Sequence, residues 1–436
     1  MPDDQAVVQV PAAPPQVRLR VSVQTAFLSR NSQGVASFDW APHAENVGNA
    51  QVEIQGAGIQ GVTNGSGNVH LVTTNLADGM HTVRITHTNP DRNSTDPVGP
   101  DIASGPGNPP SRIYRPLEFE ILTSNGFLHD VLDPFDPDNG VAHGRIGNRR
   151  SHNWTSTHLP VDWRPIWMHT QRERGARAVG DIELIVVHHT GGARISGAIH
   201  TLILNPLHHD NANDVGSAHY LMNVDGHTIK IARESQRISH VGAPAGWAGF
   251  TNVNTRSIGI EVVHANGEYP EAQYQALLPL LGRLQGHGDF NIPAHRIVGH
   301  SDADRGSRRE DDPGMDFDWQ RVQDLGLGVI PGFSPSDDQT MYAGFWANNP
   351  AAVLSSGANG NAVRELQQDL VDIGYVLSPA ANQGVNGNFN VATERAVHAF
   401  QSHFFSRNQD HPGGLVRGRV DIQTAFRIKN VVAGVP

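Results

Sequence analysis

The chain has 436 residues, including 46 glycines and 28 prolines; charged residues make up 17% of it and the formal net charge is −11. That length exceeds one ordinary core and sets an expectation of roughly two to four domains. The acidic balance, with no Lys/Arg-rich run, argues against a nucleic-acid partner, and the absence of cysteine removes disulfides, thiolate-held metal and thiol nucleophiles together.

Residues 1–16, MPDDQAVVQVPAAPPQ, read as a flexible tail. They carry no basic start and no apolar stretch, so they do not read as a signal peptide. No segment reaches the roughly 18 apolar residues of a membrane helix. The expectation is therefore synthesis in the cytoplasm, no membrane insertion, and another route to any site of action outside. From residue 17 to 121 the pattern is all-β. Val17–Val23, Gln51–Gly56, Asn68–Thr74 and His81–Thr88 alternate apolar and polar side chains, with turn signals at Asn64–Asn68 and Ala77–Gly79 between them. A β-sandwich is expected. The run GVTNGSGNVHLVTTNLADGMHTVRI resembles the carboxypeptidase-regulatory-like and transthyretin-like sandwiches in strand rhythm and glycines, and no catalytic residue follows from it.

Residues 122–178 read as a connecting strap, and Trp163 and Trp167 within it are expected to pack on a neighbouring domain more than to stack on a ligand. Residues 179–325 alternate strand and helix, which calls for a mixed sheet flanked by helices. Ile182–His189 and Ser257–Ala265 are buried-strand runs, Ser196–Pro206 is a short helix, and an Asp225-Gly226 turn joins two hairpin strands. Pro270–Gly288 is an amphipathic helix with proline just inside its start, and His295–His300 is a further strand. A linker at 326–350 precedes a small three-helix bundle at 351–430, whose helices are Asn361–Tyr375, Ala392–Phe405 and Ile422–Asn430.

The chemistry concentrates at two strand ends. His188 closes Ile185-Val186-Val187, His300 closes Ile297-Val298-Gly299, and Asp312 stands directly before Pro313-Gly314. Two imidazoles and a carboxylate on rigid backbone suit a three-ligand zinc site with one open position, where water can be activated. In a chain with 24 histidines, satisfied core or surface histidines are the competing reading, and spacing alone does not choose. Glu261 lies in an apolar strand. Burial beside a cleft would favour a proton-shuttling role, and an edge position facing solvent would give it none.

Taken in order, IVVHHT, SAHYLMNVDG, ISHVG, APAGWAG, NVNTRSIGIEVV, IVGHSD and DPGMDFDW resemble the zinc-dependent N-acetylmuramoyl-L-alanine amidases related to phage lysozyme-amidases and peptidoglycan-recognition proteins. The resemblance covers about residues 179–320. It implies that His188, His300 and Asp312 bind Zn²⁺ and that Glu261 is the general base or acid. It also implies that His219 and His240 line the substrate cleft, and that His189 and Ser301 are not ligands. One feature departs: a lysine usual shortly before the Asp ligand is Glu310 here, so Arg308 or Arg309 is expected to stabilise the oxyanion, with a fork geometry unlike a lysine point charge. LSSGANGNAVRELQQDLVDIGY, GVNGNFNVATERAVHAFQ and VRGRVDIQTAFRI resemble the peptidoglycan-binding domain type 1, with Asn390 at a position where glycine is common. Together these imply hydrolysis of the bond between N-acetylmuramic acid and L-alanine of the stem peptide, with peptidoglycan as partner. Action falls in the periplasm or wall, by a phage lysis enzyme or a secreted antibacterial effector whose N-terminal sandwich docks a phage or secretion component. The competing functions are a non-catalytic recognition protein and a zinc peptidase cutting within the stem peptide.

Overall fold

A computed structural model describes residues 17–24, 27–30, 36–39, 46–73, 76–95, 112–124, 127–132, 144–146, 157–170, 172–204, 216–242, 245–304, 312–329, 353–378, 384–405 and 414–435. In the N-terminal part, β1 (Val17–Gln24) lies between β6 (Asn68–Thr73) and β12 (Thr157–Trp163), with β11 (Gly144–Ile146) outside β12. A second sheet runs β10 (Phe127–Leu132), β9 (Leu117–Ser124), β7 (Gly79–His87), β4 (Ala50–Ile54) and β5 (Ile59–Val62), all antiparallel neighbours. A separate pair joins β2 (Phe27–Arg30) and β3 (Ala36–Asp39). Alternate residues of the two larger sheets, among them Val21, Leu71 and Val161 from the first and Val52, Ile85 and Phe119 from the second, form one apolar cluster. The period-two pattern read from the sequence is the pattern that buries one face of each strand.

The third sheet has the order β18 (Ile297–Gly299), β14 (Leu184–His189), β17 (Ser257–Val262), β15 (Tyr220–Met222), β16 (Thr228–Lys230), β13 (Pro165–Met168) and β8 (Arg112–Tyr114). β14 is parallel to β17 and to β18, and β15 is parallel to β17. Central parallel strands are buried on both faces, which explains the largely apolar runs of β14 and β17. Part of the region read as a strap supplies strands to both halves of the molecule: β12 pairs with β1, and β13 enters the third sheet. The chain crosses between them at Arg164, which is fully buried and ion-paired with Asp225. Trp163 packs into the N-terminal core and Trp167 against Ile113 and Ile166, so both tryptophans serve as packing groups.

One face of the third sheet carries α3 (Glu271–Gln285), whose Tyr274, Leu277 and Leu281 share a core with Ile185, Val187, Ile258 and Ile260. Pro270 caps this helix from outside, one position earlier than expected. Gly226 turns the β15–β16 hairpin at φ 81°, and a Cβ there would stand 2.3 Å from the Ala272 carbonyl oxygen, so the Asp-Gly turn also sets the approach of α3. The other short helices of this part are α1 (Ile195–Ile199), α2 (Val253–Arg256), α4 (His300–Ala303) and α5 (Trp319–Gln323).

The C-terminal helices α6 (Asn361–Ile373), α7 (Val391–Phe404) and α8 (Ile422–Gly434) fall where the apolar spacing puts them. Asn390 and Asp421 cap α7 and α8 by accepting from Thr393 and Thr424 N–H. The bundle shares one buried cluster with the opposite face of the third sheet: Leu366, Leu370 and Phe400 belong with Leu184, Val186 and Trp247. Of the expected linker, 330–350 lies outside the described residues, while Leu327 and Val329 are buried.

Candidate metal centre

Parallel strands place their carboxyl ends on one edge, and in open α/β sheets such edges hold the ligand sites. Here β14 ends at His188-His189, β17 ends after Glu261, and β18 runs out directly into His300 at the start of α4. His188 and Glu261 are register partners on adjacent strands, so their side chains share a face. That face is the one of Leu184 and Val186, opposite α3.

Asp312 arrives from a distant stretch of chain and is held at four points. Its Oδ1 accepts from His189 N–H at 2.7 Å, and its Oδ2 is 2.8 Å from His300 Nδ1 and 3.7 Å from His188 Nδ1. Its carbonyl accepts from Ser301 N–H at 2.9 Å. Gly299 makes this approach possible: a Cβ there would stand 2.7 Å from Pro313 Cδ. Tyr269 fixes the next residue by donating to the Pro313 carbonyl at 2.8 Å, and burial, with Asp312 nearby, pushes that phenol well above its ordinary range.

His188, His300 and Asp312 are all buried, and one ligand atom from each lies within 4.8 Å of the others. Two neutral imidazoles and a carboxylate fit a small divalent cation of the zinc type. Burial alone would raise the Asp312 carboxyl, but the neighbouring imidazoles of His188 and His300 hold it well below the usual carboxylate range, in its ligating form. Asp304 flanks the far side of His300, its Oδ2 being 3.8 Å from Nε2. Glu261 is 7% exposed, so the solvent-facing alternative does not describe it.

His219 and His240 are also brought to this face, at 0% and 8% exposure, and both aim their ring nitrogens at protein groups. His219 Nδ1 accepts from Gly259 N–H at 3.0 Å, and its Nε2 is 3.1 Å from the Gln236 carbonyl. His240 Nδ1 is 2.9 Å from His188 Nε2, and its own Nε2 is 2.8 Å from Ser257 Oγ. Burial first, then neighbouring charges led by Arg177 for His219 and His188 for His240, hold both imidazoles well below their ordinary range. Arg308, Arg309 and Glu310 lie outside the described residues.

Several contributors are absent from the residues singled out in the sequence. Arg177 is buried beneath His219 and joins the loop after β16 to α2 and the start of β17 by donating to the carbonyls of Glu234, Asn254, Thr255 and Ser257; burial lowers its guanidinium to about 10. Asn254 clamps the 240–241 backbone, accepting from both N–H groups and donating to the Val241 carbonyl. The available signal was Gly259: a glycine inside a buried strand marks a close approach, and a Cβ there would stand 2.6 Å from His240 Cγ.

Residues 178–315 match the family model described as N-acetylmuramoyl-L-alanine amidase, and residues 359–410 the one described as putative peptidoglycan binding domain. The chain is similar to N-acetylmuramoyl-L-alanine amidase AmiD of Escherichia coli, at 28% identity over 177 residues, covering 37% of this chain and 59% of that protein. It is also similar to 1,6-anhydro-N-acetylmuramyl-L-alanine amidase AmpD of Haemophilus influenzae, at 33% over 106 residues, covering 24% of this chain and 55% of that protein. The chain thus spans little more than half the length of these curated relatives. Among solved structures, AmiD from E. coli in complex with anhydro-N-acetylmuramic acid-L-Ala-D-gamma-Glu-L-Lys aligns with a TM-score of 0.42 at 23% identity, covering 61% of this chain and 95% of that one. AmpDh3 from Pseudomonas aeruginosa aligns with a TM-score of 0.44 at 21% identity, covering 59% and 92%. Residues 178–315 thus form a domain of the N-acetylmuramoyl-L-alanine amidase family, followed at 359–410 by one of the putative peptidoglycan binding family.

Proposed function

We propose that this protein hydrolyses the amide bond between N-acetylmuramic acid and the L-alanine of the peptidoglycan stem peptide, with zinc held by His188, His300 and Asp312. The observation that carries this reading is the buried His–His–Asp group, with donor atoms within 4.8 Å of one another and Glu261 on the next strand, inside a domain of the amidase family. When bound, the metal supplies Lewis acidity to water and to the scissile carbonyl. Glu261 takes the proton of the attacking water and returns it to the leaving amine nitrogen of L-alanine. Arg308 or Arg309 carries the charge of the tetrahedral oxyanion, in the part normally served by lysine. His219 and His240 back the centre from inside the domain.

The C-terminal module binds the same polymer, which raises the local concentration of scissile bonds. The enzyme acts in the periplasm or cell wall, as a phage lysis protein or a delivered antibacterial effector, and the N-terminal β-sandwich is its docking module for delivery. Among the described residues no helix is long and apolar enough to cross a membrane.

Digestion of purified sacculi followed by mass analysis of the soluble products tests the reading. Free stem peptides beginning with L-alanine are expected, dependent on zinc. Fragments cut within the stem would point to a peptidase, and binding without release to a recognition protein. Glu261→Gln keeps the shape and the zinc and removes the proton acceptor. Its kcat is expected to fall roughly 10²–10⁴-fold with zinc content unchanged; near-normal turnover would remove Glu261 from the mechanism.

A further inference from the structure

His300 is presented by a very short element. α4 has four residues, and a single helical turn has no stability of its own in water, so its place is set by whatever holds it. On one side Ser301 N–H donates to the Asp312 carbonyl at 2.9 Å. On the other side stands Asp302. Its Oδ2 accepts from Gly299 N–H at 2.8 Å, which fixes the corner where β18 turns into His300. The same carboxylate is held by two residues of the C-terminal bundle: Tyr375 OH donates to Oδ1 at 2.7 Å, and His403 Nδ1 lies 2.8 Å from Oδ2. A second route runs through the segment 245–248. The Ala303 carbonyl accepts from Gly246 N–H at 2.7 Å, Trp247 forms a bridge with Tyr375, and Ala248 N–H donates to the Gly374 carbonyl at 2.7 Å. Gly374 lets this segment lie against the end of α6, since a Cβ there would stand 2.8 Å from the Trp247 ring. Asp302, Tyr375 and His403 are all buried, so bulk water does not replace a lost partner.

We propose that Tyr375 and His403 are positioning residues of the metal centre: acting through Asp302, they hold the corner that presents His300, so the C-terminal bundle is a working part of the amidase site. The inference rests on the reading of His300 as a ligand. Asp302 follows His300 by two residues and accepts from the residue just before it, so its carboxylate brackets the ligand's backbone on both sides. A metal site tolerates little movement there, because its groups must be held within about 0.5 Å of the productive geometry. His188 needs no such support: it lies within β14 and pairs with Glu261 of β17. His300 lies beyond the last residue of β18 and depends on the corner.

The test uses the full chain and zinc alone, with affinity read by chelator competition and stability by denaturant unfolding. Tyr375→Phe keeps the ring edge-on to Trp247 and removes the donor. Its zinc affinity is expected to fall about tenfold, the lower end of the range for outer-sphere partners. At His403 two variants separate packing from hydrogen bonding. His403→Phe keeps the stack on Trp319, whose ring centre is 3.9 Å away, and loses the nitrogen facing Asp302. His403→Asn loses the stack and keeps a donor near the position of Nδ1. Positioning predicts tighter zinc in the Asn variant, whereas a purely packing role predicts that the Phe variant binds at least as well. Val431→Ala, a buried position on α8, is expected to lower the unfolding midpoint and leave zinc affinity unchanged. Wild-type affinity in Tyr375→Phe, a His403→Phe that binds as tightly as His403→Asn, or an equal loss of affinity in Val431→Ala overturns the inference. Should the His403 variants fail to fold, Tyr375→Phe and Val431→Ala decide. A wild type that binds no zinc overturns the ligand reading of His300 and the inference with it. Tight zinc binding with no release of stem peptides overturns the proposed reaction and leaves the positioning role standing.

Discussion

Asp312→Ala is expected to abolish zinc binding and to destabilise the strand ends around it, whereas Asp312→Asn abolishes zinc binding alone. The two variants separate because the carboxylate has two tasks. Oδ2 sits between the two imidazoles, and Oδ1 accepts from His189 N–H at 2.7 Å. Alanine deletes the proposed ligand and strands a partly buried backbone donor, at a cost of about 1–3 kcal/mol. Asparagine still offers an oxygen to His189 but has no negative charge for the metal. Loss of a ligand should exceed the roughly 10–100-fold penalty typical of outer-sphere partners in both variants. Chelator competition and denaturant unfolding of the metal-free proteins check this. Equal stability of the two variants would mean the His189 contact contributes nothing, and retained zinc affinity would remove Asp312 from the ligand set.

The second large effect concerns Asp302, where the amidase domain and the C-terminal bundle are fastened together. Its Oδ1 accepts from Tyr375 OH at 2.7 Å, and its Oδ2 lies 2.8 Å from both His403 Nδ1 and Gly299 N–H. Trp319 stacks on His403 with ring centres 3.9 Å apart, and Trp247 meets Tyr375 edge-on. Burial, with Asp302 beside it, keeps the Tyr375 phenol protonated well above its ordinary range, so it remains a donor. Asp302→Ala leaves these buried donors without their acceptor, an expected loss on the order of 3 kcal/mol. Wild type should unfold both parts in one transition, because Leu184 and Val186 of the sheet share a core with the bundle helices. Asp302→Ala should lower the denaturant midpoint and split that transition. An unchanged midpoint would show that the two parts are merely tethered.

These two sites differ in how far the sequence discloses them. β14 and β17 are legible because a strand buried on both faces needs an unbroken apolar run, and a histidine or glutamate interrupting such a run stands out. The C-terminal helices are legible for a similar local reason, through 3.6-residue spacing and the Asn390 and Asp421 caps. The fastening at Asp302 is not legible, because its partners lie 73 and 101 positions away and no local pattern links them. The same holds for the crossing at Arg164, whose partner Asp225 sits in a hairpin turn of the other half. Read locally, residues 122–178 look like a connector. Their strands become visible only when β1 and β16 supply the neighbours. His219 and His240 reach the same face from positions 31 and 52 residues after His188, and their buried partners, Gly259, Gln236 and Ser257, are set by pairings that no local pattern announces.

The most direct test of the metal centre is diffraction from zinc-loaded crystals at the zinc absorption edge. A single anomalous peak is expected, bonded to His188, His300 and Asp312 and within reach of Glu261. A peak held by other side chains, or no peak in protein that still releases stem peptides from sacculi, would contradict it.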